Sequence, residues 1–327
     1  MRDSDGVRVC AVDVGSNSVR LLVADVKADG VVTAIVRAGE PCRLGRGLHR
    51  SGMIEEPTAG RAASLILDFV QRGLSLGAQR VLIGATAALR DAANGEAVAA
   101  RIAKRCGFPV RILTGEQEAR LVYEAVVTGL GGPARRSSCV VFDLGGGSTE
   151  VVSGFGPSPG RSTSLPFGAV SLTERFLHAN PPADNEIADL DGHVNRELES
   201  RCAGMPDETA VLAGVGGTVT AFGVIDRGLR TYDPDLVEGW LIETARLEAL
   251  VDKLVRTTEA ERRSWTVLGS GRADIVVAGA RVVLLLTRRF RSRGLICSTR
   301  GLRYALARIA VAEGGEARPG SGAAGTV

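Results

Sequence analysis

Short apolar runs alternate with stretches of helical spacing along most of this chain. Val9–Val26 reads VCAVDVGSNSVRLLVADV, an apolar strand, a Gly/Ser turn and a second apolar strand. Arg80–Ala85 and Val110–Leu113 read as short buried strands, with helical segments at Pro57–Leu76 and Glu96–Cys106 between and around them. This alternation predicts an α/β fold. Gly107 stands where a left-handed helix cap belongs, and Pro109 blocks continuation. A third helix is predicted from Glu116 to about Thr128, with Thr114 and Gln117 at capping-box spacing. Further on, Val140–Phe155 (VVFDLGGGSTEVVSGF) repeats the strand-turn-strand pattern. Helices are expected at Leu172–His178, Asn185–Cys202, Ala245–Arg256 and Arg272–Phe290, with strands at Val211–Ala213 and Leu295–Ser298 and a last helix ending near Ala312. Residues 313–327 offer almost nothing to bury and are expected to be a disordered tail.

The two strand-turn-strand segments align at a constant offset: Asp13 with Asp143, Gly15 with Gly145, Ser18 with Ser148, and Arg20 with Glu150. A repeat of this kind is the trace of a duplicated domain, with one hairpin opening each half and the two framing an interdomain cleft. The expected organisation is a domain over residues 1–128, a second over 129–312, and the Gly-, Pro- and Arg-rich stretch Gly129–Ser138 as connector.

Composition narrows the classes. A chain of 327 residues with 45% apolar content can fill two cores. Forty basic against 37 acidic residues is too even to mark a nucleic-acid or membrane binder. Six scattered cysteines make no disulfide framework, and neither a leader pattern nor a membrane-length apolar run occurs, so a reducing cytoplasm is expected.

The glycines of DVGSNS and DLGGGSTE let backbone N–H groups turn inward, and their hydroxyls can donate to an anion. Asp13 and Asp143, at strand ends, suit a hard cation beside phosphate. Glu118, in the first turn of its helix where the dipole favours an anion, and Glu150 are the candidate chemical carboxylates. Either also reads as a solvated acid. Arg90 reads as a phosphate clamp or as a surface partner of Asp91. Arg288–Arg293 reads as a solvated helix end, with a polyanion track as the alternative. The stretch Gly156–Gly160 spells GxSxG, but prolines flank its serine and it is predicted to be a turn. No P-loop sequence is present, and His49, His178 and His193 lack ligand spacing.

With both turns in place, the chain resembles the exopolyphosphatase and guanosine pentaphosphate phosphohydrolase (Ppx/GppA) family from about Val9 to Ala307. GATAALRDAAN, TGEQEARL, FGAVSLTERF, GVGGT, GRADIVVAGA and GLRYAL follow in the family's order. The resemblance implies two ribonuclease-H-like domains of the actin, heat-shock ATPase and sugar kinase superfold. It implies Glu118 as water-activating base, assisted by Glu150, and phosphate binding by Ser16, Asn17, Ser18, Arg90, Gly145, Gly146, Gly147, Ser148 and Thr149. Gly216, Gly217 and Thr218 would line the cleft rim, and Asp143, Glu150 and Asp13 would hold Mg2+ or Mn2+. The implied activity is release of terminal orthophosphate from inorganic polyphosphate or conversion of guanosine pentaphosphate to tetraphosphate. The alternatives are an ATPase or kinase of the same superfold and a non-catalytic alarmone- or polyphosphate-binding regulator. The implied partner is the substrate anion, with no nucleic acid or membrane, and a homodimer stays open. Gln117, Ser171, Tyr304 and Ala305 depart from the family pattern.

Overall fold

The computed structural model describes residues 6–265 and 268–313. The chain divides into two compact units, one of Met1–Thr114 with the segment from Leu302, the other Gly115–Gly301. In the first, β1 (Gly6–Val14), β2 (Ser18–Lys27), β3 (Val32–Pro41), β4 (Arg80–Ala85) and β5 (Val110–Ile112) form a sheet in the order β3-β2-β1-β4-β5. The pairs β1–β2 and β2–β3 are antiparallel, and β1–β4 and β4–β5 are parallel. In the second unit, β6 (Ser138–Leu144), β7 (Thr149–Phe155), β8 (Ser158–Leu165), β9 (Val211–Gly216), β10 (Leu241–Glu243) and β11 (Gly294–Cys297) are ordered β10-β11-β9-β6-β7-β8. Strands β6 to β8 form an antiparallel meander and β6–β9–β11 run parallel. Leaving out β10, the two sheets share one connectivity. Each has the ribonuclease-H-like strand order that the sequence led us to expect.

The helices follow the apolar stripes. Glu56–Ser75 buries Ala59, Ala62, Ala63, Ile66, Phe69 and Val70, and Val276–Arg289 is buried along most of its length. Burying either stripe contributes roughly 25 cal/mol per Å2 of apolar surface removed from water. Gly107 adopts φ 77° and donates to the Ala103 carbonyl at 2.9 Å, as a left-handed cap should.

Three elements differ from expectation. The helix expected over Arg272–Phe290 starts at Val276, because Ile275 N–H bonds the Arg272 carbonyl three residues back and breaks the helical ladder. The expected connector Gly129–Ser138 is instead part of the second unit. Helix Gly115–Leu130 packs on β6, β7 and β8, and its Tyr123 hydroxyl donates to the Gly156 carbonyl at 2.9 Å. The last helix, Leu302–Ala312, joins the first unit: Leu306 packs over Gly84, and Arg80 donates to the Ala310 and Val311 carbonyls at 3.0 and 2.7 Å. The compact units therefore part at Gly115 and Leu302, where the sequence suggested residues 128 and 312. The expected tail lies, beyond Glu313, outside the described residues. Among the described residues all six cysteines are free and buried, and no helix is long and apolar enough to cross a membrane.

Candidate functional site

Each unit presents a glycine-containing turn at the same place in its sheet, between the central strand and its antiparallel neighbour. In the first unit Gly15 N–H closes the turn on the Ser18 carbonyl at 3.0 Å; in the second Gly145 N–H closes on Ser148 at 3.1 Å. A later segment then ties down the outward carbonyls. Cys42 and Arg43 N–H both donate to Asn17 O at 2.9 Å, and Gly45 N–H donates to Ser16 O at 2.8 Å. In the second unit Ala169 N–H donates to Gly145 O at 2.9 Å, while Val170 and Ser171 N–H donate to Gly146 O at 2.9 and 3.1 Å. With its carbonyls held on one side, each turn commits its amides to the other. Among the described residues no backbone carbonyl outside the regular ladders accepts the N–H of Ser16, Asn17, Gly146 or Gly147. Inward amides of this kind make a nest for an anion.

The registers distinguish the two turns chemically. Asp13 sits opposite Arg20, whereas Asp143 sits opposite Glu150. Directly opposed residues project from the same face of a sheet, so the first unit carries an acid–base pair where the second carries two carboxylates. Burial pushes the Asp13 carboxyl above its ordinary value, against the opposing pull of Arg20 and Arg303. Glu150 is buried and accepts from the Ser164 hydroxyl at 2.9 Å. Asp143 pairs with Val215 of β9, and its carboxylate reaches toward Gly216.

The remaining expected residues are spread over both units. Glu118 is buried in the first turn of helix Gly115–Leu130. Ser148 is buried at the turn, and the buried Thr149 hydroxyl donates to the Phe167 carbonyl at 2.8 Å, so it pins the 167–171 segment. Arg90, near the end of helix Ala87–Asp91, is ion-paired with Asp91 at 3.0 Å. Gly216 (φ 111°), Gly217 and Thr218 join β9 to helix Gly217–Asp226, which begins beside the Asp143 strand end. Arg288 and Arg289 pair with Glu248 and Asp207 at 2.7 and 2.9 Å, as a solvated helix end would. Of the predicted turn Gly156–Gly160, only Gly156 and Pro157 form the β7–β8 hairpin turn; Ser158, Pro159 and Gly160 already belong to β8, with Ser158 paired to Phe155 and Pro159 to Gly154. The departures have structural partners: Ser171 Oγ accepts from Gly168 N–H at 2.9 Å, and the Tyr304 hydroxyl accepts from Arg37 Nε at 2.7 Å.

Four participants escape a sequence reading. Ser164 reaches Glu150 across a strand pair, Arg272 lies against the Gly217 backbone, and Gly45 and Gly168 lie against the two turns. A Cβ on Gly168 would fall 2.5 Å from Gly145 O. The constant offset between the repeats is lost after their second strands, so alignment does not reveal this second correspondence. Its faint signal is the small residue after each third strand.

Similarity to known proteins extends over most of the chain. The model of the Ppx/GppA phosphatase family matches residues 22–307. Exopolyphosphatase 2 of Mycobacterium tuberculosis is 33% identical over 295 residues, covering 88% of this chain and 92% of that protein. Exopolyphosphatase 1 of Mycobacterium bovis is 33% identical over 282 residues, covering 84% and 80%. The crystal structure of the Aquifex aeolicus family member superposes with TM-score 0.80 at 29% identity, covering 95% of this chain and 99% of that one.

Proposed function

Because the chain belongs to the Ppx/GppA phosphatase family, and is thus a hydrolase of acid anhydrides, we propose that it removes terminal orthophosphate from inorganic polyphosphate. The paired turns with their inward amides carry this reading. A terminal phosphate is an anion with several acceptor oxygens, and its transfer to water is mainly a matter of positioning and charge stabilisation. The names of the two mycobacterial relatives support polyphosphate over guanosine pentaphosphate.

In this proposal Gly145, Gly146, Gly147 and Ser148 bind phosphate in the second unit, and Ser16, Asn17 and Ser18, with the positive charge of Arg90, bind phosphate in the first. Thr149 keeps the turn in place. Glu118 takes the proton of the attacking water, and Gly216–Thr218 borders the Asp143 strand end. Among the described residues no group of three or more His, Cys, Asp or Glu side chains forms a metal cage. Mg2+ does not need one, since it commonly binds one or two carboxylates and completes its shell with water and phosphate. Asp143 and Glu150, opposed on one sheet face, fit that requirement, and Mn2+ suits the same donors. Asp13 is already matched by Arg20 and Arg303, so we leave the cation to the other two. When bound, the cation would neutralise phosphoryl oxygens.

The test is phosphate release from long-chain polyphosphate, guanosine pentaphosphate and ATP in parallel, with and without EDTA. Polyphosphate turnover abolished by EDTA and restored by Mg2+ is the expected result. Turnover of ATP alone would overturn the reading.

A further inference from the structure

Between β3 and helix Glu56–Ser75, the first unit carries a strap, residues 42–54, in which Arg43, Arg46, His49 and Arg50 occur without a single acid. One end is anchored on the turn assigned above to phosphate, the other on residues 93 and 94, shortly after Arg90. At one end Cys42, Arg43 and Gly45 N–H bond the carbonyls of Asn17 and Ser16. At the other, Ile54 exchanges two hydrogen bonds of 2.9 Å with the Asn94 side chain, and Ala93 N–H donates to Gly52 O at 2.9 Å, just beyond Arg90. The strap accepts backbone conformations that side chains resist: Arg43 has φ 54°, alongside Gly47 at 72° and Gly52 at 66°. A non-glycine residue held there costs of order 1 kcal/mol or more and invites a functional explanation. Arg46, His49 and Arg50 are all exposed to solvent. Beside Cys42 the Asp13 carboxylate and, from the adjoining helix, the Arg61 guanidinium both act, with opposite sign. The acids near the strap by sequence are Glu40, Glu55 and Glu56, and Glu56 is engaged with Arg101 at 2.6 Å.

We propose that this strap is a distal track for the phosphates behind the terminal one, making the enzyme selective for long-chain polyphosphate over short anions and nucleotides. The inference rests on the proposed polyphosphate activity and deepens it. A polyphosphate chain bears roughly one negative charge per residue, so once its end is bound at the first unit's turn, the remainder is a flexible polyanion. An acid-free basic strap tied to the first unit's turn meets that need. Guanosine pentaphosphate instead presents a sugar and a base, for which the strap offers no matching aromatic surface.

The experiment compares wild type with Arg46→Gln/Arg50→Gln, Arg46→Glu/Arg50→Glu and the conservative Arg46→Lys/Arg50→Lys, each checked for wild-type thermal unfolding. kcat and KM are read on long-chain polyphosphate, tripolyphosphate and guanosine pentaphosphate. Exposed charge pairs are individually weak, so the Gln pair should raise the long-chain KM roughly three- to tenfold at low salt, with kcat unchanged. The Glu pair should raise it further and the Lys pair should restore it. The difference should shrink from ~50 to ~300 mM salt as screening tightens. Tripolyphosphate KM should move less than about twofold. An unchanged long-chain KM, an equal loss on all three substrates, or a loss confined to guanosine pentaphosphate would each overturn the proposal. If wild type releases no phosphate from any polyphosphate, the activity reading fails by itself. The track is then judged by direct binding of long-chain polyphosphate, where equal affinity of wild type and the Glu pair refutes it.

Discussion

Gly168→Ala is the sharpest structural perturbation of the second turn. Gly168 has an extended backbone (φ −146°), so a methyl group costs nothing in torsion. The added Cβ would lie 2.5 Å from Gly145 O, 2.5 Å from Gly146 C and 2.7 Å from Gly146 O, all backbone atoms. An ordinary contact begins near 3.4 Å, so the turn or the 167–171 segment must give way by almost 1 Å. That movement works against the three amide bonds from Ala169, Val170 and Ser171, at 2.9 to 3.1 Å. Overpacking of this kind costs about 1–3 kcal/mol, and each weakened hydrogen bond about 1 kcal/mol. The second unit should lose roughly 2–4 kcal/mol of stability. Misplacing catalytic geometry by about 1 Å costs on the order of 10² in rate, so kcat/KM on polyphosphate should fall tenfold or more below the variant's melting range. The control is Gly60→Ala, whose Cβ meets nothing within 4 Å on helix Glu56–Ser75. It should stabilise by about 0.5–1 kcal/mol without touching activity. Denaturant unfolding and steady-state phosphate release read both. A Gly168→Ala enzyme with wild-type kcat/KM would refute the placement of this turn in the site, and one with wild-type stability would refute the packing.

Individual side chains give further outcomes. Glu118→Gln should lower kcat by roughly 10² to 10⁴ while long-chain polyphosphate still binds, and unchanged turnover would remove it from the chemistry. Ser164→Ala deletes the hydroxyl donor to Glu150 and should weaken Mg2+ activation by roughly tenfold in a metal titration, as loss of a ligand's outer partner commonly does; an unchanged activation curve would separate Glu150 from the metal. Glu186 accepts N–H bonds from His178, Ala179 and Ala183 at 2.9 to 3.0 Å, and they hold its carboxyl below the ordinary 4.5. A depressed carboxylate gives stability that is full above 4.5 and disappears as pH falls through the lower folded value. Glu186→Ala should therefore cost about 0.5–1 kcal/mol at pH 7, the low end for a cap because the carboxylate is solvent-screened, and the difference from wild type should close on acidification. A gap that persists at low pH would contradict it.

How far the sequence could be read depended on the range of the interactions involved. The hairpins at Asp13–Arg20 and Asp143–Glu150 were legible because strand, turn and strand are contiguous, and apolar runs around Gly/Ser are a local signal. Gly107 was legible for the same reason, since a left-handed cap is decided within one helical turn. The contacts of Gly45 with Ser16 and of Gly168 with Gly145 were not, because they close over a third strand whose length differs between the halves. Leu302–Ala312 reads as the natural end of the second half, and only its packing on β1, β2 and β4 assigns it to the first. The Ser164–Glu150 bond depends on register alone, which no spacing rule on one strand can supply.

The return of Leu302–Ala312 to the sheet of the opening strands sets the order in which the nascent chain matures on the ribosome. Residues 115–301 form an uninterrupted unit that can close as soon as they emerge. The earlier-made strands must wait for the final helix, keeping Gly84 and its neighbours uncovered throughout translation of the second unit. The half synthesised first is thus the half completed last, and a ribosome that stalls shortly before Leu302 releases a chain with one finished unit and one open sheet.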